Sequence, residues 1–387
     1  MKKITEDILY VGVDDRRIDL FEGLFPVPNG IAYNSYVILD EKIAVTDAVE
    51  AKFVDQWLED LDAALGGRTP DYLLVHHMEP DHSAGIARFL KKYPDAKVVS
   101  TAKTFAMMQN FFGAGTGEGG ITVGEGQTLS LGSRELKFFM APMVHWPEVM
   151  MTYDTKTKTL FSADAFGRFG ALDTDEPWEE QAGRYYFSIV GKYGMQVQGV
   201  LKKLAAVQVN RICALHGPVL EGEDLKSALV YYDKWSRYEA DTDGVLICYG
   251  SVYGNTEKAA KMLAGFLKDR GVKHIEVFDL ARCDESEAVE EAFRYSTLVL
   301  ASVTYNGEIF PPVREYIDCL VERNYQNRRV GIIENGSWAP VAGRAMVAKF
   351  EKSKNITVLE NRVKITSALN LDSISQLSAL ADEIAGK

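Results

Sequence analysis

The chain has 387 residues, 47% of them apolar and 25% charged, which suits a globular protein of two domains with ample core. A net charge of −12 argues against nucleic acid or an anionic membrane as the main partner, since both call for a basic surface. No apolar run approaches the ~18 residues of a membrane span, and no signal-type apolar core opens "MKKITEDILYVGVDD". Four scattered cysteines without a C-x-x-C pair suit a reducing cytoplasm.

"IAYNSYVIL" and "KIAVTDAV" read as paired strands, because polar and apolar residues alternate and the acidic turn Asp40-Glu41 separates them. "AKFVDQWLEDLDAAL" carries apolar residues at helical spacing and stops at Gly66-Gly67. The apolar "YLLV" reads as a buried strand and runs straight into "HHMEPDHSAG", His76 to Gly85, which holds three of the six histidines. A helix through "IARFLKKY" follows, then strand-like stretches from "ITVGEG" through "LKFFMAPMV", "VMMTYD" and "TLFSADAF". Two helices, around "QVQGVLKKLAAVQ" and "DLKSALVYYDKWSRYEA", bracket the strand "RICAL". At "ADTDG", Ala240 to Gly244, the pattern changes to a regular alternation of strand and helix, from "VLICYG" to "AMVAKFEKS". That is the rhythm of right-handed βαβ crossovers and a doubly wound parallel sheet. Two domains are expected, residues 1–243 and 244–387.

A loop leaving the C-terminal end of a buried strand is where side chains converge on a site. His77, Glu79, Asp81 and His82 bring two imidazoles and two carboxylates, and the spacing 77, 79, 81 puts three of them on one side of an extended segment. A plain polar loop, with Asp81 as N-cap of the next helix and solvated histidines, would use the same residues. His145 in "APMVHWPE", Asp164 in "LFSADAF" and His216 in "ICALHGP" each follow an apolar run, the pattern of a site assembled from several strand ends. The ligand count suits two metal ions sharing Asp164. In the second half, "VLICYGSVYGNTEKAA" leads a buried strand into small and hydroxyl residues and then a helix beginning near Thr256. Ser251, Asn255 and Thr256 could hold a phosphate at the helix N-terminus. Neither a nucleoside-triphosphate P-loop nor G-x-G-x-x-G is present. "ASVTYNGEIFPP" and "ENGSWAP" leave later strand ends, each with an aromatic residue suited to stacking on a flat ring.

The first half resembles the metallo-β-lactamase fold, whose dinuclear hydrolases carry His-x-His-x-Asp-His followed by separate His, Asp and His residues. Glu79 stands where those hydrolases have their second histidine, and mixed imidazole and carboxylate ligands suit non-haem iron better than zinc. With flavodoxin-type loops in order behind it, the chain resembles the flavodiiron proteins (A-type flavoproteins) over essentially its whole length. The fold this implies is α/β, a metallo-β-lactamase-like αββα sandwich followed by a flavodoxin-like doubly wound parallel sheet. The resemblance implies one iron held by His77, Glu79 and His145, another by Asp81, His82 and His216, and Asp164 as bridge, with no catalytic side chain beyond these ligands. It implies FMN with its phosphate over Ser251, Val252, Tyr253, Gly254, Asn255 and Thr256. The isoalloxazine would lie against Thr304, Tyr305, Asn306 and Gly307, and against Asn335, Gly336, Ser337 and Trp338. Tyr253 replaces the threonine common in free flavodoxins.

The implied activity is that of a cytoplasmic oxidoreductase taking electrons through FMN to reduce dioxygen to water, nitric oxide to nitrous oxide, or both. No Cys-rich segment follows the flavin half, so an external donor is expected, a rubredoxin-type protein or a reduced deazaflavin. The short "ADTDG" is no flexible tether, and the family's head-to-tail homodimer, or a dimer of dimers, would bring each flavin to the irons of the partner chain. Two rival readings use the same halves. Glu79 argues against a zinc hydrolase joined to a flavodoxin, and the complete ligand set argues against a mere electron carrier. His76, pointing away from His77, and His274, in a C-terminal strand, are read as packed residues, with Trp146 and Pro147 as pocket wall.

Overall fold

The computed structural model describes residues 2–387, which divide into two compact units, the first ending at Asp233 and the second Lys234–Lys387. The division falls within the helix Gly222–Ser236, while the sequence pattern changes at Ala240–Gly244, where the strand Thr242–Gly250 begins.

The first unit is built on two sheets. In the seven-stranded sheet, Tyr72–Leu74 is wholly buried between the parallel neighbours Ala44–Thr46 and Lys97–Ser100. A strand covered on both faces reads as an unbroken apolar run, as "YLLV" does. The expected hairpin is present, with Tyr36–Ile38 antiparallel to Ala44–Thr46. "IAYNSYVIL" is not one strand, however: Ile31–Tyr33 pairs instead with Val13–Asp15 in a separate ribbon. The break comes at Asn34, which is buried and donates from Nδ2 to the carbonyls of Ala214 (2.9 Å) and Gly217 (2.8 Å). A buried amide must find such partners, and the loop around His216 supplies them. The helix Val54–Leu65 buries Val54, Trp57, Leu58, Leu61 and Leu65, one face at helical spacing, and ends at Gly66 with φ 58°.

The six-stranded sheet runs from Thr128–Ser130 to Leu220–Glu221. Ile8, Tyr36, Ile38 and Leu74 of the first sheet share one apolar cluster with Leu136, Phe138, Met150 and Phe161 of the second. The two sheets therefore pack face to face. At their edge Arg134, its side chain wholly buried, meets Asp7 (2.7 Å), Asp154 (3.0 Å) and Asp40 (3.3 Å). Removing one partner of a buried ion cluster leaves an uncompensated charge. Arg134→Met should therefore lower stability by about 3–5 kcal/mol in a denaturant titration; a change below about 1 kcal/mol would mean that water screens Asp154 after all.

The second unit carries a parallel sheet in the spatial order Ile275–Asp279, Thr242–Gly250, Tyr295–Tyr305, Arg328–Asn335, Ile356–Val358. This 2-1-3-4-5 order is the flavodoxin-like doubly wound arrangement. Its fifth strand is split, since Val363–Ile365 pairs with the far end of Arg328–Asn335. These two three-residue pieces were too short to show a period in the sequence. The helix Leu371–Ala385, closed at its start by an Asn370–Ser373 capping box, was also not anticipated. Among the described residues no helix is long and apolar enough to cross a membrane.

Candidate metal centre and flavin site

Sheet pairing of the "YLLV" strand ends at Val75, whose N–H donates to Val99 O, and the chain runs on extended through Glu79 (φ −59°, ψ 134°). Pro80 then opens the short helix Pro80–Ser83 as its first residue, a position that suits its fixed φ and missing N–H. Asp81 is therefore not the third residue of an extended segment, as the alternate spacing suggests. The turn instead sends Asp81 and His82 to a second group. Asp81 does not cap the helix either, because Glu79 stands at the N-cap. His77 and His82 have no exposed surface, so the solvated-loop alternative fails.

Two ligand groups result. The ligand atoms of His77, Glu79, His145 and Asp164 lie within 4.8 Å of one another, and so do those of Asp81, His82 and His216. Asp164 faces both. Its Oδ2 lies 3.0 Å from His145 Nε2 and 3.3 Å from His77 Nε2, while its Oδ1 lies 3.6 Å from His82 Nε2 and 3.9 Å from His216 Nε2. Glu79 Oε2 stands 3.0 Å from His145 Nε2, and Asp81 Oδ2 stands 3.3 Å and 3.4 Å from the Nε2 atoms of His82 and His216. Both ring nitrogens of His77, both oxygens of Asp81 and Oδ1 of Asp164 are buried without a hydrogen-bond partner. Nε2 of His82 and Nε2 of His216 converge to 3.0 Å. Buried polar atoms left in this way are costly, and two cations, one per group, would satisfy those that face the two groups. The residues fit a dinuclear metal site.

Their electrostatics differ between the groups. In the first, burial alone would push Asp164 up, but His77, His145 and His216 outweigh it and hold the carboxyl well below its ordinary range. Burial likewise presses His145 down, and Asp164 and Glu79 reverse this, raising it to about 9. In the second, burial pushes Asp81 well above the usual carboxyl range, with the charges of Glu79 and Asp164 adding to it. Burial lowers His82 and His216, His82 further through His216 itself. The metal-free site thus holds protons that cations must displace, so metal uptake should release protons and weaken as pH falls.

His76 lies outside both groups. Its N–H donates to Asp47 Oδ1 (2.8 Å), its Nδ1 meets Asp47 Oδ2, and its Nε2 lies 2.9 Å from Thr152 Oγ1. His274 sits just before the strand Ile275–Asp279, not in it, with its carbonyl accepting from Val245 N–H. Trp146 stands edge-on to the rings of His77 and His145. Two nearby residues escaped the sequence reading. Tyr185 is buried with its ring 5.4 Å from that of His216 and its hydroxyl unpartnered. Glu22 and Gly23, at φ 52° and 68°, form the turn between Leu20–Phe21 and Phe25–Pro26. Glu22 itself is exposed, yet its carboxyl is raised to about 7, by desolvation on the side facing the site and then by the charge of Glu79. Neither residue has a spacing signal: Tyr185 lies among the aromatics of "GRYYFSIV", and nothing in "LFEGLF" aims its turn at a metal.

In the second unit the three expected loops all leave the C-terminal ends of parallel strands. Ser251 Oγ accepts from Gly254 N–H (3.0 Å), and the helix starts at Asn255, with Gly254 before it at φ 84°. Asn306 and Gly307, at φ 50° and 75°, turn the chain back into Glu308–Ile309. Two side chains expected near the ring tie loops together instead. Thr304 Oγ1 accepts from the N–H groups of Val341 (3.0 Å) and Ala342 (3.2 Å). Asn335, only 5% exposed, donates to Thr256 Oγ1 (3.4 Å) and to Ser367 O (3.2 Å). Ser337 bonds to Ser367 through their hydroxyls (2.8 Å), so a loop after Val363–Ile365 joins the set. By contrast Tyr253 is 91% and Trp338 83% exposed, with Val252 and Tyr305 also outward. Bare aromatic surface beside a helix N-terminus fits a flat, phosphorylated ring system.

Residues 31–217 match the family described as ODP family beta lactamase. The chain is 28% identical to a flavo-diiron protein of Clostridium acetobutylicum, covering 91% of each. It is 29% identical to a nitric oxide reductase of Moorella thermoacetica, over 91% of this chain and 90% of the other. Among solved structures, rubredoxin oxygen:oxidoreductase from Desulfovibrio gigas superposes with a TM-score of 0.93 at 26% identity, covering 100% of this chain and 98% of that one. Fold, ligand groups and flavin loops together define a metallo-β-lactamase-like unit fused to a flavodoxin-like unit. Over essentially its whole length the chain is similar to flavodiiron proteins.

Proposed function

We propose that this chain is an oxidoreductase that reduces dioxygen to water, nitric oxide to nitrous oxide, or both, at a non-haem diiron centre fed through FMN. The observation that carries the reading is Asp164, whose two oxygens face two separate ligand groups, one of which contains Glu79. His77, Glu79 and His145 would hold one iron, Asp81, His82 and His216 the other, and Asp164 would bridge. Two ferrous ions and a reduced flavin, when bound, supply the four electrons that dioxygen takes, or the two that a pair of nitric oxide molecules takes.

The chain's own residues shape what happens between the irons. Asp164 would itself be their common ligand, Trp146 walls the first group, and Tyr185 has a buried hydroxyl able to donate a hydrogen bond. The phosphate would lie over Ser251 to Thr256, with Tyr253, Tyr305 and Trp338 offering faces to the ring. A rubredoxin-type protein is the proposed donor, the cytoplasm the proposed location, and a head-to-tail dimer the proposed assembly.

The direct test is composition. Protein produced with ample iron should contain two irons and one FMN per chain and consume either gas under a reducing donor. Tightly bound zinc with little iron would count decisively against the reading.

A further inference from the structure

Once the His76–Glu79 segment leaves its sheet, its backbone groups have no ladder partners, yet they are buried and must be paired. Side chains and a neighbouring strand take over. His76 N–H donates to Asp47 Oδ1 (2.8 Å), and His76 O accepts from Met150 N–H (3.0 Å). Met78 stands between the ligands His77 and Glu79. Its carbonyl accepts from Ser83 Oγ (2.9 Å), and its N–H donates to Glu148 Oε1 (2.9 Å). Glu148 is 2% exposed and comes from the segment that carries His145. Among the described residues its second oxygen, Oε2, has no hydrogen-bond partner, and Met78 N–H is the donor its carboxyl meets. Thr101 Oγ1 reaches the Glu148 carbonyl (3.4 Å) and steadies the backbone there.

We propose that Glu148 is a positioning residue for the first metal, and this rests on the diiron reading above. One carboxylate joins the His145 segment to the peptide between His77 and Glu79, so the three non-bridging ligands of that metal move as one body. The second group has tethers of its own, because His216 is held through Nδ1 by Ala32 O (2.8 Å), its loop by Asn34, and the His82 carbonyl accepts from Ala48 N–H (2.8 Å). Loss of Glu148 should therefore fall on one metal and spare the other.

Anaerobic titration of metal-free protein with ferrous ion tests this in three variants. Glu148→Gln keeps the acceptor and should retain two tightly bound irons. Glu148→Met fills the same space without the acceptor, and Glu148→Asp withdraws it by one methylene. Both should keep one tight iron and weaken the other by roughly 10–100-fold. Two irons of wild-type affinity in the aspartate variant would overturn the proposal, even if the methionine variant does not fold. So would equal weakening of both sites, or a glutamine variant as weak as the aspartate one. Wild-type protein that takes up no pair of irons is a separate outcome, and it sinks the diiron reading itself.

Discussion

Asp164→Asn is expected to strip the iron from this protein while leaving its flavin absorbance intact. The side chain is buried and its two oxygens are divided between the two ligand groups. The amide keeps the shape but removes a charge and turns N–H donors toward the site. Two ferrous ions bring four positive charges, and Glu79, Asp81 and Asp164 return three; the variant returns two, and the charge it loses sits on a buried side chain. At about 4 Å a unit charge is worth ~4 kcal/mol even at an effective dielectric of ~20. The loss of iron affinity should therefore exceed the roughly 10–100-fold typical of losing an outer partner. Iron per chain, flavin spectrum and gas turnover check this together. Near-normal turnover would remove Asp164 from the bridging role.

Mixed dimers should recover about a quarter of wild-type activity from two inactive parents. One parent is disabled at the flavin by changes at Ser251 and Asn255, the other at iron by changes at His145 and Asp164. In a head-to-tail dimer each flavin serves its partner's irons, so either homodimer is nearly inactive. Random reassociation makes half the dimers mixed, and each mixed dimer has one intact junction of two. A mixture that stays inactive, although mixed dimers are shown to form, would mean that electrons pass within one chain.

The metal site was legible because its residue types are scarce and each follows an apolar run. Histidine occurs six times, and His77, His82, His145 and His216 all converge on it. Alternate spacing over residues 77 to 81 does not give the division into two groups, which comes from the family resemblance alone, although Pro80 is a helix-starting signal. Asn34 looked like one more polar position in an alternating strand, and only its distant partners Ala214 and Gly217 reveal the break. Tyr185 could not be found at all, since a core tyrosine and a site tyrosine have the same local sequence. In the second unit the loops were visible through glycine and hydroxyl residues. The internal duties of Thr304 and Asn335 were not, because those bonds reach about 37 and 32 residues along the chain.

The turn at Pro80 makes the site modular. Four candidate ligands lie within six consecutive residues, yet the turn delivers Glu79 to one ligand group and Asp81 with His82 to the other. A change at position 79 can therefore alter the chemistry of one ion without disturbing its neighbour's ligands. Exchanging the carboxylate at position 79 for an imidazole would be such a change, and it would alter the charge of the first group alone.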